Sequence, residues 1–385
     1  MSNVVREVAG GGTFPPVDGP ALLTVGVEEE FLLVDPVTGA AANAVEAVFD
    51  EVPADLRGQV QHEFLTSQIE IGSPPGLQLE ALRHSLGMLR TGVAEAAERA
   101  GFRLLAVGTG PNGPADDAGP PIVDNPRFHR MLERYGNVSP GPGYNGMHIH
   151  VGIPGPDIGV EVLNHIRPWL PILHAATANS PFYNGRDTGY ASWRSVLWNR
   201  WPPVGPTPWL ESHAHYLRIV EELIGSGMLL DEGMLYWYAR LSAHLPTVEI
   251  RIGDVCPSLD DTILIAALVR GLVAAALADI EAGRPALPVE HQLLVAAHWR
   301  AAHDGLEGVA CDLLGGGLHP AWSLMRRLYE RVGPHLEQHG DLETVGSLLG
   351  RLHAHGTGAA RQRAVFARTG EMNQVVDYLA AQTRG

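Results

Sequence analysis

Residues 25–34 read Val-Gly-Val-Glu-Glu-Glu-Phe-Leu-Leu-Val, which sets three adjacent carboxylates inside an otherwise apolar run. The β-branched and apolar flanks, and the turn signal Asp35-Pro36-Val37-Thr38-Gly39, mark a strand. Side chains alternate across a strand, so Glu28 and Glu30 share one face, while Glu29 shares the other with Val27 and Phe31. Adjacent carboxylates repel one another and suit strands poorly. A solvated edge strand would tolerate them, but apolar residues on both sides imply burial. Buried carboxylates need a counter-charge, and a divalent cation supplies one economically. The fold must therefore contain a sheet with at least one charge-bearing face.

Other strand-like segments carry polar residues in the same way. HEFLTSQIEIG (62–72) offers Glu70 and ends at Ser73-Pro74-Pro75-Gly76; FRLLAVGTG (102–110) is an apolar run of buried type. MHIHVGIP (147–154) places His148 and His150 on one face, a spacing that zinc hydrolases and cupin-like sites also use. MLYWYARLS (234–242) and TVEIRIGD (247–254) are close enough for a hairpin, and the second puts Glu249 and Arg251 on one face. Such a Glu/Arg pair is commonly a surface salt bridge of small worth. Asp254 either ligates or serves the following turn. Gathered on one sheet, Glu28, Glu30, Glu70, His148 and Glu249 make an oxygen-rich site with one imidazole, which suits Mg²⁺ or Mn²⁺ better than zinc.

Helical periodicity appears at 77–100, 210–225, 259–281 (with Ser258 and Asp261 as a capping pair), 288–303, 321–353 and 372–383. The expected class is α+β: a mostly antiparallel sheet with helices packed around it. Residues 1–20 read as a flexible leader and 21–385 as one domain. Of the bulk numbers, two exclude whole functions. All 27 cations are arginine, which removes Schiff-base, Walker A and Ser–Lys chemistry, so any phosphate falls to arginine, backbone N–H groups or metal. A net charge of −16 argues against nucleic-acid or anionic-membrane binding. Cys256 and Cys311 form neither a disulfide framework nor a thiolate metal site, and neither a signal peptide nor a membrane span is evident, so a cytoplasmic location is expected. The stretch 179–206 carries Arg186, Arg194 and Arg200 among Tyr183, Tyr190, Trp193, Trp198 and Trp201. It reads either as a packed loop with cation–π pairs or as a cradle for carboxylate or phosphoryl oxygens. Gly356-Thr357-Gly358 with Arg361 and Arg363 reads either as an anion site at a helix N-terminus or as a capped packing helix.

VGVEEEFLLVDPVTG, GMHIHVGIP, IRPWLP, ANSPFYNGRDTGYASWRS, GMLYWYARLS, PTVEIRIGDVCPS and HGTGAARQR, in this order from about Leu22 onward, resemble the type 2 glutamate–cysteine ligase family of ATP-dependent carboxylate–amine ligases. The resemblance implies a glutamine-synthetase-like catalytic sheet, ATP with Mg²⁺ or Mn²⁺, small-molecule substrates and a homodimer. It makes Glu28, Glu30, Glu70, His148 and Glu249 the expected metal ligands and Arg251 a phosphate-facing residue. Arg251 and Arg194 are the expected catalytic cations, with Arg186, Arg200 and Tyr190 around substrate or nucleotide. Asn145 stands where cysteine or another small residue is expected, and residues 110–119 lack a His-Pro, which bears on the amine substrate. Two competing readings are a zinc-dependent hydrolase built on His148 and His150, and a non-catalytic metal- or amino-acid-binding homologue.

Overall fold

A computed structural model describes residues 22–113, 121–138 and 143–384; the expected leader lies outside them, as does most of 110–119. The strands are β1 (Val25–Val34), β2 (Val60–His62), β3 (Gln68–Gly72), β4 (Arg103–Leu105), β5 (Met147–Gly152), β6 (Phe182–Tyr183), β7 (Arg186–Asp187), β8 (Ala239–Leu241), β9 (Thr247–Ile250), β10 (Val309–Cys311) and β11 (Leu318–Pro320). Seven form one sheet in the order β2-β3-β1-β5-β9-β8, with β4 also paired to β1, and every pairing in it is antiparallel. β6–β7 and β10–β11 are separate two-stranded ribbons.

Register turns the alternation of each strand into two sheet faces. Glu28 lies opposite Gly72 and His148, Glu30 opposite Glu70, His150 opposite Glu249, and Glu249 opposite Arg240. Directly opposed residues share a face, so the carboxylates and imidazoles converge on one side. The other side carries Val27, Phe31, Ile69, Ile71, Ile149, Val151 and Val248, all buried. Against it pack the helices Leu79–Arg99 and Leu259–Glu281.

Glu29 points into this apolar layer and is fully buried. Its carboxylate accepts two hydrogen bonds from Arg90, at 2.8 and 2.5 Å, and one from Thr262 Oγ1 at 2.6 Å. The middle glutamate of the triplet thus ties the sheet to both core helices. Leu259–Glu281 is long and apolar enough to cross a bilayer, contrary to the sequence reading, but most of it is buried inside the protein. Its one mid-helix cation, Arg270, is paired with Asp341 and donates to Leu77 O.

Several elements depart from expectation. The 102–110 run keeps only three residues in the sheet, and 234–242 begins as the 3₁₀ turn Glu232–Met234 before β8. The expected helix 321–353 is two helices, Ala321–His339 and Leu342–His355, broken at Gly340 with φ 77°. A left-handed residue ends a helix and favours glycine. Replacing Gly340 by alanine should therefore lower stability by about 1 kcal/mol, read from denaturant midpoints. The helices Val45–Glu51, Pro126–Tyr135, Pro156–Ile166, Leu170–Ala176 and Trp193–Trp198 were not expected, whereas the helix start read at 356–358 is present as Gly358–Thr369.

Candidate active site

Two groups of three ligand side chains stand on the charged face. Glu28, His150 and Glu249 bring one ligand atom each within 4.8 Å of one another, as do Glu30, Glu63 and Glu70. His148 lies between the groups: its Nδ1 is 3.1 Å from Glu28 Oε2 and its Nε2 is 3.7 Å from Glu30 Oε1. His150 Nε2 is 3.6 Å from Glu28 Oε1, and Thr247 Oγ1 sits 3.0 Å from its Nδ1. Glu30 Oε2 accepts from Gly146 N at 2.6 Å. Glu249 is paired with Arg240 at 2.8 Å and with Arg251.

The electrostatics of the two groups differ. Burial alone would raise the pKa of every carboxylate here. For Glu28 it is outweighed by hydrogen bonds and charge from His148 and His150, and for Glu249 by Arg240 and Arg251, so both are held well below the usual range. Glu63 has weaker compensation: burial and then Glu30 push it up to about 7. Glu70 is pushed well above the usual value by burial, then by Glu28, Glu63 and Glu30. His148 is held below its ordinary value by burial and then Arg251; in His150 burial is overcome by Glu249 and Glu28.

This arrangement fits divalent cations. His150 Nε2 is buried, aimed at Glu28 and without a hydrogen-bond partner, as a metal-directed lone pair would be. The second group consists of carboxylates alone, whose mutual repulsion a cation would relieve. Three carboxylates in one group, and two carboxylates with one imidazole in the other, suit hard ions such as Mg²⁺ and Mn²⁺.

Four of the five expected ligands, Glu28, Glu30, Glu70 and Glu249, fall in these groups. The fifth, His148, bridges them, and its same-face neighbour His150 completes the first group instead. Glu63 was missed. It lies in the expected strand 62–72, which the structure breaks between β2 and β3, and the β2–β3 pairing brings it back beside Glu70. Arg240 was also missed, although the expected hairpin register would have set it opposite Glu249.

The arginines divide. Arg251 lies on the charged face, with Nη1 3.5 Å from His148 Nδ1. Arg194 is 2% exposed, lies 4.7 Å over the Trp198 ring and donates from Nη1 to Ile252 O at 3.2 Å, while its Nε has no partner. Gly146 lies between Arg194 and Glu30, and a Cβ there would run into Arg194 Nη2. Gly146→Ala should displace that guanidinium and lower activity at least tenfold in steady-state assays while leaving the melting temperature within a few degrees. Arg186 and Arg200 are exposed, and neither guanidinium makes a hydrogen bond or ion pair among the described residues. Tyr190 packs edge-on to Trp193 and His303 and sits 3.3 Å from Trp299 Nε1. None of the three touches the two groups.

The glycine-bounded helix start at 356–358 is not a free anion site. Thr357 caps the helix Gly358–Thr369 and is itself held by Glu307 through N at 2.8 Å and Oγ1 at 3.0 Å. Arg361 pairs with Asp261 and Arg363 with Asp187, so the packing reading holds. Asn145 is wholly buried, linking Gln68 Nε2 to Val107 O. Asp254 is also buried and accepts three hydrogen bonds, from Asn179 N, Ser180 Oγ and Ser192 Oγ; it is no part of either group.

The fold is that of a solved class of ligases. A glutamate–cysteine ligase from Francisella tularensis, in complex with AMP, aligns with a TM-score of 0.69 at 13% identity, covering 94% of this chain and 89% of that one. A bifunctional glutathione synthetase from Pasteurella multocida aligns with a TM-score of 0.68 at 18% identity, and the chain spans about half (52%) of it. In sequence, proteins named glutamate–cysteine ligase 2 in Salinispora arenicola and Salinispora tropica are 48% and 49% identical over 373 residues, 96% of this chain and 98% of each relative. The family model for glutamate–cysteine ligase family 2 matches residues 24–378. The chain belongs to glutamate–cysteine ligase family 2, and is an ATP-dependent ligase.

Proposed function

We propose that the protein joins an amino-acid carboxylate, glutamate in the reading closest to its relatives, to an amine such as cysteine, through an acyl phosphate formed from ATP. The observation that carries this is the pairing of two cation-ready groups on one face with two buried arginines at its edge. A carboxylate is a poor acyl donor at neutral pH. Transfer of the ATP γ-phosphoryl to it gives a mixed anhydride, from which the amine nitrogen displaces phosphate. Such transfer depends on positioning and charge neutralisation.

Glu28, His150 and Glu249 would hold one divalent ion, and Glu30, Glu63 and Glu70 another; such ions would supply neutralisation of phosphate charge. A cavity of about 310 Å³ lies at the β8 edge of the sheet, and its lining includes Arg240 and Thr247, which brace Glu249 and His150. Its apolar walls, among them Ile153, Tyr216 and Leu241, suit the nucleotide base. Arg194 and Arg251 would grip the phosphoryl or the substrate carboxylate beside the second group. Arg186, Arg200 and Tyr190 would contribute only as a rim that closes over bound substrate.

The test is ADP release with Mg²⁺ across a matrix of carboxylates and amines. The ligase reading expects ADP and phosphate only when acid, amine and metal are all present. Zinc-dependent hydrolysis without nucleotide would favour the His148/His150 hydrolase, and silence with every pair would favour a non-catalytic binding protein. Sedimentation should give a homodimer, and fractionation should place the protein in the cytoplasm.

Metal binding should also be visible in stability. Glu70→Gln removes a carboxylate that its neighbours disfavour. It should raise the stability of the metal-free protein at neutral pH by about 1 kcal/mol or more. The same substitution should shrink the stabilisation that added Mg²⁺ gives the wild type, about 2.7 kcal/mol at a hundredfold excess over Kd. Thermal melts with and without EDTA read both effects.

A further inference from the structure

A chain of buried polar groups runs from Asp254 away from the site. Asp254 Oδ1 accepts from Ser192 Oγ at 2.7 Å, Ser192 Oγ lies 2.9 Å from Ser195 Oγ, and Ser195 Oγ lies 2.6 Å from His174 Nε2. His174 Nδ1 in turn is 3.3 Å from His298 Nδ1, and His298 Nε2 has no partner. All five residues are buried. With both imidazoles neutral, only one assignment of protons gives every link a donor while Ser192 donates to the carboxylate. His298 Nδ1–H donates to His174, His174 Nε2–H to Ser195, Ser195 to Ser192, and Ser192 to Asp254. The neutral state of both rings follows from their burial, which lowers His174 to about 3 and His298 well below its ordinary value. Every hydrogen points at Asp254, which partly offsets the burial that raises its carboxyl above the usual value.

Asp254 also receives Ser180 Oγ at 2.6 Å and Asn179 N at 2.9 Å, and its oxygens lie so close to Gly108 that a Cβ there would meet Oδ2 at 2.7 Å. Ser180 and Ser192 are bridged in parallel, and Ser180 Oγ accepts Arg194 N at 3.0 Å. Gly146, which touches both Glu30 and Arg194, is bridged to Asp254. Arg194 itself makes no ion pair among the described residues, although Asp254 is the carboxylate that most favours its charge.

We propose that Asp254 is a positioning residue: through Ser180 and Ser192 it locks the segment carrying Arg194, and so fixes the guanidinium beside Glu30 where a substrate carboxylate or phosphoryl group is gripped. This rests on the ligase reading of the same site. Asp254 touches no reacting group; it acts through Arg194.

The experiment is a double-mutant cycle with a structural arm. With the acid–amine pair that releases ADP, Asp254→Asn should lower kcat/KM for the acid substrate about tenfold to a hundredfold, as expected for a misplaced binding group. The KM for ATP should move less than twofold. In an Arg194→Ala background the same change should have no further effect on kcat/KM. Ser180→Ala and Ser192→Ala should show the same coupling at smaller size, and they serve if Asp254→Asn does not fold. Equal losses in both backgrounds, or equal rises in the two KM values, would overturn the proposal and leave Asp254 a packing residue. The structural arm does not depend on turnover: crystals of wild type and of the folded variant should show Arg194 moved from Gly146 in the variant. An unmoved guanidinium overturns the proposal even if the protein ligates, whereas absence of ADP with every pair overturns only the ligase reading.

Discussion

Glu28→Gln should reduce Mg²⁺-dependent ADP release by about 10²–10³-fold, the loss usual when one preorganised electrostatic contact to a developing charge is removed. The size follows from where Glu28 sits. It contacts His148 and His150, belongs to the first cation group and borders Glu70 electrostatically. An amide keeps the shape, so the fold should persist, with a melting temperature close to that of the wild type in EDTA. The informative contrast is Glu29→Gln, one residue along. That change should leave the affinity for Mg²⁺ within a few-fold, because Glu29 points through the sheet into the core. Titration calorimetry with Mg²⁺ on both variants separates the two faces. Full activity in Glu28→Gln would remove the first group from the mechanism.

The largest stability effect should come from the far face. Arg90 and Glu29 are both wholly buried, and Arg90 also donates to Cys256 O and Thr262 Oγ1. Arg90→Met leaves the Glu29 carboxylate in an apolar layer without its counter-charge, which costs about 3–5 kcal/mol. Pairing it with Glu29→Leu should restore much of that loss, since a well-packed apolar pair can replace a buried ion pair at little net cost. Urea midpoints of the two singles and the double make the cycle. If Arg90→Met alone lost less than about 1 kcal/mol, the pair would not be the tie between sheet and helices described above.

What was legible in the sequence followed periodicity. The triplet Glu28–Glu30 declared its two faces by alternation alone, and the burial of Glu29 opposite the ligand-bearing glutamates is what a period of two requires. The same logic put His148 and His150 together, and Glu249 with Arg251. Alternation could not choose between the two histidines, because that depends on which cross-strand neighbour each meets. His150 faces Glu249 while His148 faces Glu28. Glu63 was passed over because 62–72 reads as one strand, whereas the chain turns between β2 and β3 and their pairing decides where Glu63 lies. The loop arginines show the opposite failure. Arg186, Arg194 and Arg200 look alike in composition, yet only Arg194 is drawn inward, by Ser180 and by the Trp198 ring. The missed helices are mostly six to twelve residues long, too short for a clear apolar stripe.

The account stands on the charged face being a two-ion site, and anomalous diffraction from crystals grown with Mn²⁺ and ADP reads that directly. Two manganese peaks are predicted, one ligated by Glu28, His150 and Glu249 and one by Glu30, Glu63 and Glu70. A single ion held by His148 and His150, or no peak on this face with ADP bound elsewhere, would contradict it.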